Sequence, residues 1–317
     1  MVRALRQLFV PHAFVLAAAV GVLGSPVRKY ASGPQVQLFA GLALIIALVL
    51  SWRFRSLRGF LAASALLLLL AESLRVPPHT LLAANVLMAL TLTLVLLVDD
   101  HFFDWRATAY WAGLLFLQSA LLLGVIRSLP SLTDSPGAEL FIAMGAIGIG
   151  ISALRHREPI LSGLFWILLC LALASRFGWQ GAYAATAAVI LVIALLERAY
   201  RLAYHDELTG LSGRRAFNAA IAELGEHYCI AMVDVDHFKS FNDTFGHDTG
   251  DQVLRKVAAR LAEVRAGGTA FRCGGEEFAM VFPACDLNEA LAEAEELRKR
   301  IERDVFEIGR ASCRERV

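Results

Sequence analysis

The chain has 317 residues, of which 57% are hydrophobic and only 19% charged, more apolar than a soluble globule of this length can cover with polar surface. That balance makes it a membrane protein. Its formal net charge of +1 lacks the basic excess with which proteins grip phosphate backbones, so nucleic acid is excluded as a partner.

Up to about Glu197 the sequence is a series of apolar runs, several long enough for the roughly 20 residues of a membrane-spanning helix. Eight spans are expected, at 8–24, 35–52, 59–74, 80–98, 108–126, 138–154, 159–175 and 177–196, making 1–196 a polytopic membrane domain in the lipid bilayer. The segments on the N-terminal side carry Arg3, Arg6, Arg53, Arg55, Arg58, Arg106, Arg155, Arg157, Arg198 and Arg201; the opposite loops carry only Arg28, Lys29, Arg75, Arg127 and Arg176. This excess of basic residues puts both ends in the cytoplasm. If the first run is instead a signal peptide, the remaining spans still leave the C-terminus inside. Glu72, Glu139 and Glu158 all fall near span ends, which argues against an ion-coupled transporter with ionisable groups at mid-membrane. His12, beside Pro11, reads as a helix-packing histidine or the mark of a kink; His79, His101 and His156 read as solvated loop residues, and Asp99, Asp100 and Asp104 as a polar interfacial loop.

After Glu197 the composition changes. "ERAYRLAYHDELTGLSGRR" is charged, helical in its first half, and turns at Leu208 to Gly213, so 197–207 is expected to be a helical linker that couples the two halves or merely tethers them. "CIAMVDVDHF" is the pattern of a buried strand that presents Asp234 and Asp236 at its C-terminal end. A helix follows Gly246, with Val253, Leu254, Val257, Leu261 and Val264 at helical spacing. A last helix starts at a capping box of Asp286 and Glu289 and turns Leu287, Leu291, Leu297 and Ile301 inward. Strands alternating with amphipathic helices describe a compact α/β domain.

Within it, "TAFRC" and "FAMVF" read as two strands of a hairpin whose tip is Gly274-Gly275-Glu276-Glu277, the glycines supplying positive φ. If that tip lies beside the strand ending at Asp234, acidic oxygens converge with no lysine in the motif to neutralise them. Such a set suits Mg²⁺ bridging a nucleoside triphosphate, and on these grounds the expected chemistry is metal-dependent phosphoryl transfer. The alternative is a surface hairpin with solvated acids. The five cysteines, Cys170, Cys229, Cys273, Cys285 and Cys313, form no CxxC pair, and read as reduced and structural, with a redox or metal role open only for Cys273.

"DELTGLSGRR", "DVDHFKSFNDTFGHDTGD" and "RCGGEEF" stand in the order and approximate spacing of the GGDEF domain of diguanylate cyclases, which residues 203–307 resemble. The resemblance implies a nucleotidyl-cyclase-type central antiparallel sheet with flanking helices, and a homodimer in which two GTP molecules condense to cyclic di-GMP and pyrophosphate. It implies that Asp234, the carbonyl of Val235, Glu276 and Glu277 bind magnesium, with manganese as the alternative ion. Glu276 would also help deprotonate the ribose 3′-hydroxyl. Asn242 and Asp251 would hydrogen-bond guanine, whose donor and acceptor edge an amide and a carboxylate can read. Lys239 and His247 match the pattern near the nucleotide.

The chain departs from the family at three places. Gly213 stands where an Asn is usual. The family's inhibitory RxxD falls on Arg265, Ala266, Gly267 and Gly268, with no Asp. Family domains also continue through a further central strand and a phosphate-gripping segment, so the domain over 208–309 is expected to be incomplete and 310–317 a non-native tail. The expected protein is a multi-pass diguanylate cyclase of the bacterial inner membrane with its C-terminal domain in the cytoplasm. The alternative is a non-catalytic module binding GTP or a partner protein.

Overall fold

The computed structural model describes residues 11–23, 33–73, 136–156, 158–177, 180–307 and 314–316. The expected spans 80–98 and 108–126, His79, His101, the cluster Asp99, Asp100 and Asp104, and residues 310–313 of the tail lie outside them. The chain divides into two compact units, Met1–Ala199 and Tyr200–Val317.

The first unit is helical: α1 (Pro11–Leu23), α2 (Pro34–Arg53), α3 (Leu57–Ser73), α4 (Pro136–His156), α5 (Pro159–Phe177) and α6 (Gln180–Tyr204), the last running on into the second unit. Pro34–Arg53 and Gly181–Tyr204 are long and apolar enough to cross a membrane, and Leu57–Ala71, Ala143–Arg155 and Pro159–Ala174 are shorter apolar helices. The small and leucine side chains Ala40, Ala43, Leu44 and Ala47 of α2 are buried in the bundle, whereas Leu38, Leu42, Ile45, Val49 and Trp52 are exposed. Glycines set the closest approaches: a Cβ on Gly59 would lie 2.7 Å from Leu195 Cδ2, and one on Gly163 would lie 2.8 Å from Ala194 Cβ. His12 is fully buried, in keeping with a packing role.

The second unit begins with the turn after α6. It continues through β1 (Ser212–Gly213), α7 (Arg214–Ala222), β2 (Tyr228–Asp234), α8 (Phe238–Phe245), α9 (His247–Leu261), β3 (Thr269–Arg272), β4 (Glu277–Pro283) and α10 (Leu287–Arg303). A short hairpin of β5 (Val305–Glu307) and β6 (Arg314–Arg316) follows. The main sheet has the order β1-β3-β4-β2. β4 pairs antiparallel with both neighbours, but β1 lies parallel to β3, so the sheet is mixed rather than wholly antiparallel. Three helices and a strand separate β1 from β3 in sequence, which leaves no hairpin turn to impose the antiparallel sense.

β4 is the central strand, and its unbroken "FAMVF" fits burial on both faces. Phe278, Met280 and Phe282 enter a core with Val253, Leu254, Val257 and Leu261 of α9 and Ala290 and Leu297 of α10. Ala279 and Val281 join Phe271 and Cys273 on the other face, under Ala216, Phe217 and Ala220 of α7. Arg260 of α9 ties down the end of α10 through a two-pronged contact with Asp304, Nε to Oδ2 at 2.7 Å and Nη2 to Oδ1 at 3.0 Å. That pairing holds the Asp304 carboxyl below the usual range, against a smaller upward push from burial.

Several expectations are corrected. β2 is no fully buried strand: among the described strands it lies at the edge of the sheet and pairs with β4 alone, and it exposes Tyr228, Ile230 and Met232 along one face. Asp286 is the N-cap of α10 but makes no side-chain cap bond. Glu289 is instead approached by the Cys285 thiol at 3.6 Å, so the capping box does not form. Leu287 and Leu291 are exposed, because the inward stripe of α10 runs through Ala290, Ala294, Leu297 and Ile301, a helical phase offset from those leucines. Val264 lies beyond the end of α9 and is partly buried.

One glycine of α9 is essential to how it meets α8. A Cβ on Gly250 would sit 1.8 Å from Asn242 Oδ1, inside any permitted contact. Gly250→Ala is expected to displace the Asn242 amide and destabilise the pair of helices by about 1–3 kcal/mol, as overpacking does. Loss of amide protection across α8 in hydrogen exchange checks it, and unchanged protection contradicts it.

Candidate active site

The chemistry-bearing residues collect where β2 ends and β4 begins. In the antiparallel register Asp234 stands directly opposite Glu277. Like charges at opposed positions of a ladder are destabilising, yet among the described residues no ion pair reaches Asp234, Glu276 or Glu277. The chain leaves Asp234 through Val235, which is buried, and through His237, whose φ of 55° is left-handed. A non-glycine residue there costs on the order of 1 kcal/mol, strain retained at the turn beside the acids.

The turn between β3 and β4 is held by its own backbone and by two arginines. Cys273 N and Gly274 N donate to Glu277 O at 2.8 and 3.2 Å. Arg214 Nη1 donates to Cys273 O at 3.2 Å. Arg272 Nε donates to the carbonyls of Gly274 and Gly275, both at 3.2 Å, and its Nη2 to Gly275 O at 2.6 Å. Neither Gly274 nor Gly275 has the positive φ expected of them. Gly274 is required for a different reason: a Cβ there would lie 2.7 Å from Glu277 Oε2, because the Glu277 side chain folds back over it.

Arg272 is itself anchored, its Nη1 donating to Asp206 Oδ1 at 2.8 Å. The same Asp206 oxygen accepts from Thr209 N at 2.8 Å and Thr209 Oγ1 at 2.6 Å, closing the turn after α6. Burial alone would raise the Asp206 carboxyl, but the bonds from Thr209 and Arg272 outweigh it and hold it below the usual carboxylate value. Burial raises the Cys273 thiol, opposed by Arg214 and helped by Glu277, so it stays protonated and fits the structural reading rather than a metal or redox one.

The other expected site residues lie on the α8–α9 corner. Asn242 is half-buried, with Oδ1 lacking a hydrogen-bond partner where it meets Gly250. Asp251, the next residue along, is half-buried, while Lys239 and His247 are exposed. Lys239 and Asn242, and likewise His247 and Asp251, are spaced to share helix faces. Among the described residues no three His, Cys, Asp or Glu side chains converge closely enough to hold a metal ion. The acidic meeting is therefore a cross-strand pair, with the Val235 carbonyl as the adjacent oxygen. Arg214, Arg272 and Asp206 are the site's supports, given no role in the sequence analysis although all three lie inside the motifs "DELTGLSGRR" and "RCGGEEF", and that membership was the available signal.

Residues 203–310 match the family described as diguanylate cyclase, GGDEF domain. The second unit carries a GGDEF domain. Relatives of the GGDEF domain here include the diguanylate cyclase VdcA of Vibrio cholerae, 43% identical over 112 residues that make up 34% of this chain and 33% of VdcA. The response regulator PleD of Caulobacter vibrioides is 40% identical over 121 residues, 36% of this chain and 27% of PleD. The chain thus spans a third or less of the length of these two relatives. Among solved structures, the GGDEF domain of DgcB from Caulobacter crescentus in complex with c-di-GMP is 39% identical and aligns with 35% of this chain and 68% of its own, at a TM-score of 0.33.

Because the folded-state Asp206 carboxyl is depressed, its contribution to the GGDEF domain is whole above the unfolded value near 4 and drains away as pH falls through the lower folded value. Arg272→Ala is expected to loosen the hairpin by on the order of 2 kcal/mol, the worth of a charge-assisted bond. Hydrogen exchange at Cys273 and Gly274 reads the loss. The variant should also loosen less at low pH than the parent, because only Thr209 then holds the Asp206 carboxyl down, and an identical acid response in both contradicts the role given to the pair.

Proposed function

We propose that the chain is a diguanylate cyclase of the bacterial inner membrane, condensing two GTP molecules to cyclic di-GMP with release of pyrophosphate. The observation that carries this reading is Asp234 facing Glu277 across the β2–β4 ladder, inside a segment that matches the GGDEF domain from 203 to 310. A like-charged pair left without a cationic side chain favours occupancy by a cation, and carboxylate plus backbone carbonyl is a hard-oxygen donor set. Asp234, the Val235 carbonyl, Glu276 and Glu277 would hold Mg²⁺ or Mn²⁺, which when bound supplies charge neutralisation at the phosphates and a lowered pKa for the attacking hydroxyl.

The remaining work falls to the chain's own groups. Glu276, at the hairpin tip, takes the proton of the ribose 3′-hydroxyl as its oxygen bonds to the α-phosphorus of the second nucleotide. The bond to the β-phosphate breaks, and pyrophosphate carries away the electron pair. Asn242 and Asp251 hold guanine at the α8–α9 corner, an amide and a carboxylate suited to its donor and acceptor edge. Lys239 and His247 stand exposed on the same helices, available to the phosphates. Each GTP is bound by one subunit of a homodimer, which brings the two reacting nucleotides together. A purely binding module is not favoured, since both hairpin acids and the supports that orient them are present.

The exposed row Leu38, Leu42, Ile45, Val49 and Trp52 on α2, with Met144, Ile147 and Ile151 on α4, supports a lipid-facing surface and a multi-pass membrane domain ahead of a linker at 197–207. The GGDEF domain is then cytoplasmic, by the distribution of basic residues.

Purified in detergent, the full chain is expected to convert GTP and Mg²⁺ to cyclic di-GMP and pyrophosphate, separable by chromatography. Glu277→Gln and Asp234→Asn should each cut the rate on the order of 100-fold or more. Undiminished synthesis in either variant would sink the assignment. Feedback should also be weak. A Cβ at Gly268 would lie 2.7 Å from both Phe282 Cε1 and Val264 Cγ2, so the position of the family's inhibitory Asp is filled by core side chains. Micromolar cyclic di-GMP is expected to leave the rate nearly unchanged, and Gly268→Asp should not create inhibition; strong non-competitive inhibition of the parent contradicts this.

A further inference from the structure

Among the described elements, α6 is the one that belongs to both units, running from Gln180 to Tyr204 across the division at Ala199. Its last turns in the first unit are gripped from several helices. Gly59 of α3 admits Leu195, and Gly163 of α5 admits Ala194. Glu158, just before α5, accepts from Arg198 Nη1 at 2.9 Å and also from Arg58 Nη1 of α3. Next to these, His12 of α1 approaches Glu197, with Nε2 3.9 Å from Oε2.

That last contact is incomplete. His12 is fully buried, and neither ring nitrogen has a hydrogen-bond partner. A buried polar group in that state carries its full desolvation cost. The distance to Glu197 is too long for a hydrogen bond, yet about 1 Å of approach would make one. Only the imidazolium has a donor on both nitrogens and a charge to match the carboxylate.

We propose that His12 and Glu197 form a proton-operated latch between α1 and α6. Uptake of one proton by His12 closes the pair and draws the C-terminal part of α6 toward α1; its release opens the pair. No covalent bond changes. Among the described residues, Glu158, Arg58 and Arg198 engage one another and keep α3 and α5 against α6 in both states, and Arg201 stands one turn beyond Glu197 on α6. Cys170 and Tyr183, further titratable groups of α5 and α6, stand several helical turns from Glu158 and Glu197 along those helices. The regulatory consequence rests on the cyclase reading, because α6 leads directly into the GGDEF domain.

The test uses the full chain, with ¹⁵N-labelled histidine, in lipid nanodiscs. The His12 ring signal is identified by its loss in His12→Gln. Glu197→Gln is expected to move the His12 titration midpoint down by about one pH unit, the effect of removing a nearby opposite charge. Across about pH 4 to 7 the ratio of product formation between the parent and Glu197→Gln should change about fivefold. A midpoint unmoved by Glu197→Gln overturns the latch. A moved midpoint with a flat ratio overturns its regulatory role. If no variant makes product at any pH, the cyclase reading fails instead, and the midpoint alone decides the latch.

Discussion

The meeting of Asp234 and Glu277 depends on β4 being covered on both faces. A one-residue slip of this strand would turn Phe278, Met280 and Phe282 out of the core they share with α9 and α10 and drive Ala279 and Val281 into it. Two packed layers therefore fix the register, and the register fixes Glu277 opposite Asp234. The acids are not free to relieve their repulsion by sliding apart. They are held together by hydrophobic area that begins one residue away, at Phe278 opposite Val233.

Against that constraint, the cations near the hairpin are used in an informative way. Arg214 and Arg272 donate to the carbonyls of Cys273, Gly274 and Gly275, and Arg272 also donates to Asp206. Both guanidiniums shape the loop and neither pairs with the motif glutamates. An arginine placed on Glu276 or Glu277 would stabilise the resting hairpin and compete with any metal or proton that the site must bind. The arrangement instead keeps the loop rigid and its acids unpaired, at a cost carried by the rest of the domain.

The sequence disclosed the elements whose periodicity is strong and whose partners are close. The inward stripe of α9 and the doubly buried β4 are both legible from apolar spacing, as are six of the eight expected apolar helices, the other two lying outside the described residues. What failed depended on geometry between distant residues. α8 hides in "FKSFNDTF", a single short helix whose polar residues resemble a loop. The Asp206–Arg272 contact joins residues 66 apart, and no local pattern announces it. Asp286 and Glu289 have the spacing of a capping box, but Cys285 engages Glu289 and the reciprocal bonds do not form. Glycine's usual reason for a tight turn, positive φ, gave way at Gly274 to a steric one set by a side chain three residues on.

The turn after α6 explains why a signal borne by that helix would reach the hairpin at all. His205 N still bonds Arg201 O, so helical hydrogen bonding continues to within one residue of Asp206. Asp206 then holds Arg272, and Arg272 holds Gly275 O, so three consecutive contacts separate the helix from the loop bearing Glu276. All of them are short, and the middle one is charge-assisted, the kind of bond that resists stretching and transmits a displacement rather than absorbing it. A shift of the α6 end by a fraction of an ångström must be met by moving Asp206, by breaking its bond to Arg272, or by moving the hairpin. The first is opposed by Thr209, which binds the same carboxylate oxygen twice. The second leaves a half-buried guanidinium without its partner. A continuous chain of hydrogen bonds thus runs from the incoming helix through Asp206 and Arg272 to the hairpin that bears the two glutamates.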